Sequence, residues 1–194
     1  MSNHPTWEVF VDGSVRPYHS ILNPGKDGGF AGCAWVTLNP ITGDKRFAMG
    51  YTMPSTRDVT STELKGILEA FQYLDKMIQL DPGRDFTGIN ITVYSDCMDA
   101  SDEVRYAFAP ADGPIPLSGH RVGFTESVAH PDLSYGILEA IRSLEPRGIV
   151  ARLMWMARRS TLGACLADDY ARRVVEYRRR FVGSGNVPTE FILR

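Results

Sequence analysis

The chain has 194 residues, a length typical of one domain, and its 43% apolar and 23% charged residues are typical of a globular protein with a sizeable core. Its three cysteines lie far apart, without the spacing of a disulfide framework or a zinc site. No apolar run approaches the roughly 20 residues of a membrane helix, and no secretory signal peptide is recognisable, so we expect a cytoplasmic, intracellular protein that uses no membrane.

The net charge of −2 hides an uneven distribution of charge along the chain. Residues 147–194 contain ten arginines and four acidic residues, so this end carries +6 and the preceding 146 residues carry −8. A basic end of this kind suits a polyanion such as nucleic acid. A solvated helix face would give the same pattern, and charge alone does not separate the two interpretations.

The first part of the chain is predicted to consist of strands. The alternating sequence WEVFVDGS predicts a strand over 7–14 that breaks at Asp12 and Gly13, a common turn pair. A polar loop follows over 15–29, and its stretch 15–22 has no obvious role. Two further strands, over 30–39 and 45–53, flank a hairpin connection, so the first three strands should form an antiparallel meander.

The longest helix is predicted over 60–80, where apolar residues recur every three or four positions and Thr60 and Glu63 have capping-box spacing. A strand rich in β-branched residues then ends at Asp96. The remaining predicted elements are helices over 99–108, 133–144 and 162–181, a strand over 149–156 and a long loop over 109–132, of a length that is usually functional or mobile.

This order of elements predicts an α/β fold. We expect a mixed five-stranded sheet, in which an antiparallel meander is joined by parallel strands, with helices on both faces. Residues 1–182 should form the domain and residues 183–194 a short C-terminal tail. Sheets of this kind place functional sites beyond the ends of strands, where the connections diverge.

Four acidic residues occupy notable positions among these elements. Asp12 and Asp96 end two predicted strands, Glu63 lies in the first turn of the long helix, and Asp168 lies within the last helix. Packed carboxylates repel one another, and a divalent cation relieves the repulsion. Oxygen ligands without His or Cys suit Mg²⁺ or Mn²⁺, and two such ions roughly 4 Å apart are the usual device for phosphodiester cleavage.

Each acidic residue also has a purely structural explanation. Asp12 could be a turn residue, Glu63 could close a capping box, and Asp96 could cap the following helix. Asp168, like its neighbour Asp169, could be a solvated helix residue. Considered together, the four positions favour a shared site, because a mixed sheet would bring these corners of the fold together.

Five short motifs follow one another in a recognisable order. They are VDGS at 11–14, NPG with GGFA at 23–31, GYT leading to TSTEL at 50–64, YSD at 94–96 and ADDYAR at 167–172. In this order they resemble the first motif, the NPG…GGYG continuation, the glutamate helix, the TDS strand end and the final CDELAR-type helix of the type I ribonuclease H family. The resemblance covers most of the chain.

The resemblance implies the ribonuclease H-like fold and a metal-dependent endonuclease that cuts the RNA strand of RNA–DNA hybrids. It implies Asp12, Glu63, Asp96 and Asp168 as catalytic residues and as ligands of two Mg²⁺ ions, with Mn²⁺ as a substitute. One ion would activate the attacking water and the other would stabilise the leaving 3′ oxygen. Alignment to the final helix favours Asp168 over Asp169. We expect nucleic acid as the partner and a monomer as the oligomeric state.

The chain departs from the family pattern near the last helix. The family usually has a loop histidine about ten residues before its last aspartate, whereas this chain has Arg158 and Arg159 there. An arginine could hold the scissile phosphate but could not shuttle a proton at neutral pH. Thr60 and Ser61 replace the family's asparagines, and their hydroxyls could bond a 2′-hydroxyl. The expected substrate-binding residues are Gly13, Ser14, Thr60, Ser61, Arg158 and Arg159.

These departures leave two alternatives open. The chain could be a nuclease of this fold that acts on branched DNA or structured RNA, or a catalytically weak nucleic-acid-binding module. The complete acidic set argues against the second alternative, because an inactive site has no reason to retain four mutually repelling carboxylates.

Overall fold

The computed structural model describes residues 6–18, 28–38, 45–54, 56–108, 129–181 and 190–192. The helices and strands have bounds close to the predicted ones. The strands are β1 (Thr6–Tyr18), β2 (Gly28–Leu38), β3 (Lys45–Thr52), β4 (Asn90–Ser95), β5 (Val150–Trp155) and β6 (Glu190–Ile192). The helices are α1 (Val59–Leu80), α2 (Met98–Phe108), α3 (Pro131–Leu144) and α4 (Leu162–Phe181), and a 3₁₀ turn, Glu145–Arg147, follows α3.

The described strands form one mixed sheet in the order β5-β4-β1-β2-β3-β6. Strands β1, β2 and β3 form the predicted antiparallel meander, and β4 and β5 add parallel to β1. The predicted fold class is therefore confirmed, with one short strand more than the five expected. This additional strand, β6, pairs antiparallel with β3 and lies in the stretch predicted to be a C-terminal tail.

Strand β1 separates two hydrophobic cores, because successive side chains of a strand point to opposite faces. Val9 and Val11 belong to the larger core, which α1 and α3 cover. Phe10 belongs to the smaller core, where Ala167 and Tyr170 of α4 pack against the sheet. The sheet therefore carries helices on both faces, as predicted.

Strand β1 does not end at its Asp-Gly pair, and this part of the prediction was wrong. The backbone of β1 continues to pair with β2 from Asp12 to Tyr18, whereas its parallel pairing with β4 ends at Val11 opposite Ser95. Strand β2 keeps the backbone groups of β1 hydrogen-bonded beyond Gly13, so the chain has no need to turn there. The Asp-Gly pair marks the point at which β4 leaves the sheet.

Several predicted loops fall partly outside the described residues. Residues 15–18 of the predicted first loop extend β1, and residues 19–27 and the hairpin connection over 40–44 are not described. Of the predicted loop over 109–132, residues 109–128 are not described, and Pro131 and Asp132 form the first turn of α3. Within the part of the chain that is described, none of the four helices has the length and apolar character needed to cross a membrane.

Helix α1 approaches the sheet most closely at Gly66. A Cβ atom on Gly66 would lie 2.7 Å from Val11 Cγ1 and 3.1 Å from Cys33 Cβ, and all three residues are buried. A glycine is therefore needed here for contact between the helix and the strands, although glycine inside a helix costs about 1 kcal/mol relative to alanine.

We expect Gly66→Ala to destabilise the protein by about 1–3 kcal/mol, because the added methyl group overpacks a core with no spare room. The measurement is the free energy of unfolding from denaturant titrations. Gly136→Ala in α3 is the matched control, since its Cβ would meet Leu68 at 3.4 Å, an ordinary contact. That variant should be up to about 1 kcal/mol more stable than the parent, from helix propensity. Equal effects of the two substitutions would contradict the close approach at Gly66.

Candidate metal centre

Two parallel strands carry the first two acidic residues to the same edge of the sheet. Val11 and Ser95 are the last paired residues of β1 and β4, so Asp12 and Asp96 follow next to each other where the strands diverge. Asp12 is buried and lies on the face of β1 that α4 covers, whereas Asp96 is half-buried. The indole Nε1 of Trp155 donates a hydrogen bond to the backbone carbonyl of Asp96 at 3.0 Å and fixes this turn of the chain.

Glu63 reaches the same place from α1. The helix begins at Val59, and its N-cap is Asp58, whose carboxylate accepts a hydrogen bond from the Ser61 N–H at 3.0 Å. The capping-box interpretation of Thr60 and Glu63 is therefore wrong, because the orphan amide is already satisfied by Asp58. The side chain of Glu63 is therefore not needed to cap the helix.

The carboxylate of Glu63 is held by the two strands that carry the aspartates. Its Oε1 accepts a hydrogen bond from the Gly13 N–H at 2.8 Å, and its Oε2 accepts one from Ser95 Oγ at 3.3 Å. A Cβ atom on Gly13 would lie 2.9 Å from the backbone nitrogen of Glu63, so only glycine allows this approach. The Gly13 amide therefore orients Glu63, and the substrate-binding role of Gly13 stays a prediction.

Oxygen atoms of Asp12, Glu63 and Asp96 lie within 4.8 Å of one another. Asp12 Oδ2 is buried and has no hydrogen-bond partner in the described part of the chain. An unpartnered buried carboxylate oxygen is costly, and a cation would both satisfy it and relieve the repulsion between the three groups. Because all three donors are carboxylates, they fit a hard divalent cation such as Mg²⁺ or Mn²⁺.

The three carboxyl groups by themselves form an electrostatically unfavourable cluster. Burial, together with the charges of Asp96 and Asp168, raises the pKa of Asp12 to about 7. Burial and the charge of Asp12 raise the pKa of Glu63 well above its usual range. Burial also raises the pKa of Asp96, although the nearby Arg158 opposes this effect. Burial is the largest cause of all three shifts, and neighbouring carboxylates add to each of them.

Asp168, the fourth predicted ligand, lies beside this cluster but faces three arginines. Its Oδ1 is 3.1 Å from both Arg158 Nη2 and Arg172 Nη2, and its Oδ2 accepts a hydrogen bond from Arg159 Nε at 2.8 Å. Burial by itself would raise the pKa of Asp168, but the hydrogen bonds from Arg159 and Arg158 outweigh it and lower the pKa. Arg158 also extends to Asp96, with 3.6 Å between Nε and Oδ2.

The remaining predicted substrate-binding residues lie on β1 and α1, the elements that carry Asp12 and Glu63. Ser14 on β1 and Thr60 and Ser61 in the first turn of α1 are half-buried, and Ser61 Oγ donates a hydrogen bond to the Asp58 carbonyl at 3.1 Å. Their role in binding a substrate stays a prediction. Sequence reasoning missed Arg172, although its spacing of four residues from Asp168 on one helix is that of an ion pair.

His130 ties the first turn of α1 to two other helices. Its Nδ1 lies 2.9 Å from Glu103 Oε1 on α2, and its Nε2 contacts the carboxylate of Asp58, the N-cap of α1. Ser134 of α3 donates to Glu103 Oε2 at 3.3 Å. Because α1 carries Glu63, this histidine helps to fix the position from which that glutamate enters the centre.

Solved structures similar to this chain include two ribonuclease H domains and a viral protease-reverse transcriptase. The ribonuclease H domain of prototype foamy virus has a TM-score of 0.56 and 15% identity, covering 90% of this chain and 96% of that domain. The N-terminal ribonuclease H domain of a Mycobacterium tuberculosis protein has a TM-score of 0.51 and 16% identity, covering 89% and 97% respectively. The prototype foamy virus protease-reverse transcriptase has a TM-score of 0.55 and 15% identity, covering 90% of this chain and 22% of its own length.

These similarities establish that the chain has a ribonuclease H-like fold, and they confirm at the level of the fold the resemblance that its sequence motifs indicate. No protein-family model matches the sequence, and no curated protein matches it either.

We expect the His130 contacts to stabilise the protein in a pH-dependent way. Burial by itself would lower the pKa of His130, but the hydrogen bonds to Glu103 and Asp58 raise it above the ordinary value of 6.5. A raised folded-state pKa gives a contribution that is fully present below the unfolded-state pKa and is lost as the pH rises through the folded-state value. His130→Gln should therefore lower the free energy of unfolding more at pH 5.5 than at pH 8.5, by on the order of 1 kcal/mol.

The control is Asp58→Asn, which keeps an N-cap acceptor for α1 but removes the charge next to His130. It should reduce the same pH dependence without unfolding α1, while Glu103 still contacts the imidazole. A difference between parent and His130→Gln that does not change with pH would contradict the charged contact.

Proposed function

We propose that this protein is a divalent-metal-dependent endonuclease that hydrolyses the RNA strand of RNA–DNA hybrids. The observation that carries the proposal is the convergence of Asp12, Glu63 and Asp96 to within 4.8 Å, with the buried Asp12 Oδ2 lacking a partner among the described residues. A stable fold does not need three repelling carboxylates in one place, whereas cation binding does. The ribonuclease H-like fold supports the same reaction class.

Asp12, Glu63 and Asp96 would hold Mg²⁺ or Mn²⁺, and the family resemblance implies two ions with Asp168 as the fourth ligand. When bound, such ions generate the attacking hydroxide and stabilise the charge on the leaving oxygen. The protein contributes the orientation of the ligands. Gly13 and Ser95 fix Glu63, as described above, so that its carboxylate is positioned before a cation arrives.

Residues at the rim would recognise the nucleic acid. The guanidinium groups of Arg158 and Arg159 are about half exposed and next to the carboxylates, where a scissile phosphate would lie. Arginine binds a phosphate through two parallel hydrogen bonds. Ser61 lies two residues before Glu63, and its hydroxyl oxygen still has a lone pair that could accept a hydrogen bond from a 2′-hydroxyl. A contact of this kind would distinguish an RNA strand from DNA.

The arginines of α4 contribute less to this surface than their number indicates. Arg173 pairs with Asp169 at 2.7 Å, and Arg179 pairs with Glu176 at 3.3 Å. Arg178 is half-buried and donates a hydrogen bond to the Ala31 carbonyl at 3.5 Å. Two of these arginines are therefore paired with carboxylates and a third is half-buried. We assign phosphate binding to Arg158 and Arg159 because of their position beside the carboxylate cluster.

We expect Asp12→Asn to reduce cleavage of a labelled RNA–DNA hybrid in Mg²⁺ by about 100-fold or more, because it removes a charged ligand at unchanged side-chain shape. Its melting temperature should not fall, since the substitution relieves repulsion at a buried group. The assay includes duplex DNA, branched DNA and structured RNA, which tests the alternative substrates directly.

The matched control is Asp169→Asn. Asp169 follows Asp168 on α4 but is about half exposed and pairs with Arg173, so the variant should cleave like the parent. Cleavage by Asp12→Asn at the rate of the parent would refute the proposed nuclease function. If another nucleic acid is cut faster than the hybrid, that nucleic acid replaces the hybrid as the proposed substrate, and the nuclease assignment stands.

A further inference from the structure

Asp168 is enclosed by more positive charge than it can neutralise. Its side chain is 3% exposed, whereas the side chains of Arg158, Arg159 and Arg172 are 64%, 52% and 52% exposed. Three guanidinium groups therefore cover one buried carboxylate from the solvent side, and we refer to these three arginines as the arginine clamp. A nucleic acid that approaches from solvent meets the clamp before it meets Asp168.

The three members of the clamp are anchored differently. Arg172 lies one helical turn beyond Asp168 on α4, so the helix itself fixes that pair. Arg158 and Arg159 belong to the connection between β5 and α4. Arg159 has a φ angle of 51°, in the left-handed region that is costly for a residue with a Cβ atom. This connection, unlike the helix, supplies two of the three contacts to Asp168.

We propose that Arg158 and Arg159 are positioning residues that prevent Asp168 from binding the cation. When nucleic acid binds, the two guanidinium groups exchange the Asp168 carboxylate for a phosphate group, and Asp168 becomes available to the cation. The proposal deepens the proposed function and rests on it, because it concerns the same carboxylates. Before this exchange, the three positive guanidinium groups beside Asp168 repel an approaching cation, which opposes cation binding.

The exchange replaces one set of charge-assisted hydrogen bonds by another. Arg158 and Arg159 give up Asp168, Arg158 also gives up its contact with Asp96, and both gain phosphate oxygens. The freed carboxylate of Asp168 keeps Arg172 and gains the cation. Because the two binding events share one carboxylate, an anion at the clamp should strengthen cation binding, and the cation should strengthen anion binding by the same factor.

The test measures Mn²⁺ binding by the electron paramagnetic resonance signal of free Mn²⁺, with and without sulfate as a phosphate-like anion. The test variant is Arg158→Ala combined with Arg159→Gly, where glycine tolerates the left-handed backbone. We expect this variant to bind Mn²⁺ about tenfold more tightly than the parent, since two ion pairs that compete with the cation for Asp168 are lost. Sulfate should strengthen Mn²⁺ binding by the parent and have no effect on the variant.

Arg173→Ala is the matched control, because Arg173 lies on the same helix, has a similar exposure of 60%, and pairs with Asp169. It should bind Mn²⁺ and respond to sulfate like the parent. Circular dichroism checks the fold of each variant. If the double variant unfolds, Arg158→Ala alone leaves Arg159 and Arg172 on Asp168 and should shift Mn²⁺ affinity in the same direction by a smaller factor.

Asp12→Asn separates this proposal from the proposed function. If Asp12→Asn removes Mn²⁺ binding while the arginine variants bind Mn²⁺ and respond to sulfate like the parent, the clamp is refuted and the metal centre stands. If Asp12→Asn leaves Mn²⁺ binding unchanged, the cation does not bind at the carboxylate cluster, and the proposed function and the clamp both fail.

Discussion

The close contact between α1 and β1 is the constraint on which the candidate metal centre depends. At Gly13 and Gly66 the helix and the strands lie too close together for a Cβ atom, and this distance lets Glu63 reach across to the strand amide. Widening the gap by one methyl group would move the Glu63 carboxylate away from Asp12. The two glycines and the buried glutamate are each energetically unfavourable, and together they allow a carboxylate cluster to form between two strands and a helix.

The centre and its surroundings neutralise charge in two ways. Asp12, Glu63 and Asp96 face one another, and their burial, together with the neighbouring carboxylates, raises their pKa values. Asp168 lies beside them and is covered by arginines, which lower its pKa. The site is therefore divided into an acidic half and a basic half. Under the proposed function, the acidic half would hold cations and the basic half would hold a phosphate group.

Much of the fold follows from local patterns. The 3.6-residue periodicity of α1 and the alternation of β1 predict these elements, because one face of each must be buried. The pairing of strands depends on contacts that are distant in sequence, and these corrected the prediction in two places. Strand β1 runs through its Asp-Gly pair because β2 satisfies its backbone, and the short β6 is added because β3 offers a free edge.

The sequence by itself determined which residues could form the site, because carboxylates at strand ends and at a helix start are visible as motifs, and their order resembles a known family. Only the tertiary structure decided how these carboxylates are used. It assigns the capping of α1 to Asp58 and leaves Glu63 to the centre, and it turns Asp168 toward arginines. The physical reason is that the position and partner of a charged side chain depend on which backbones approach one another, and a single sequence does not record that distance.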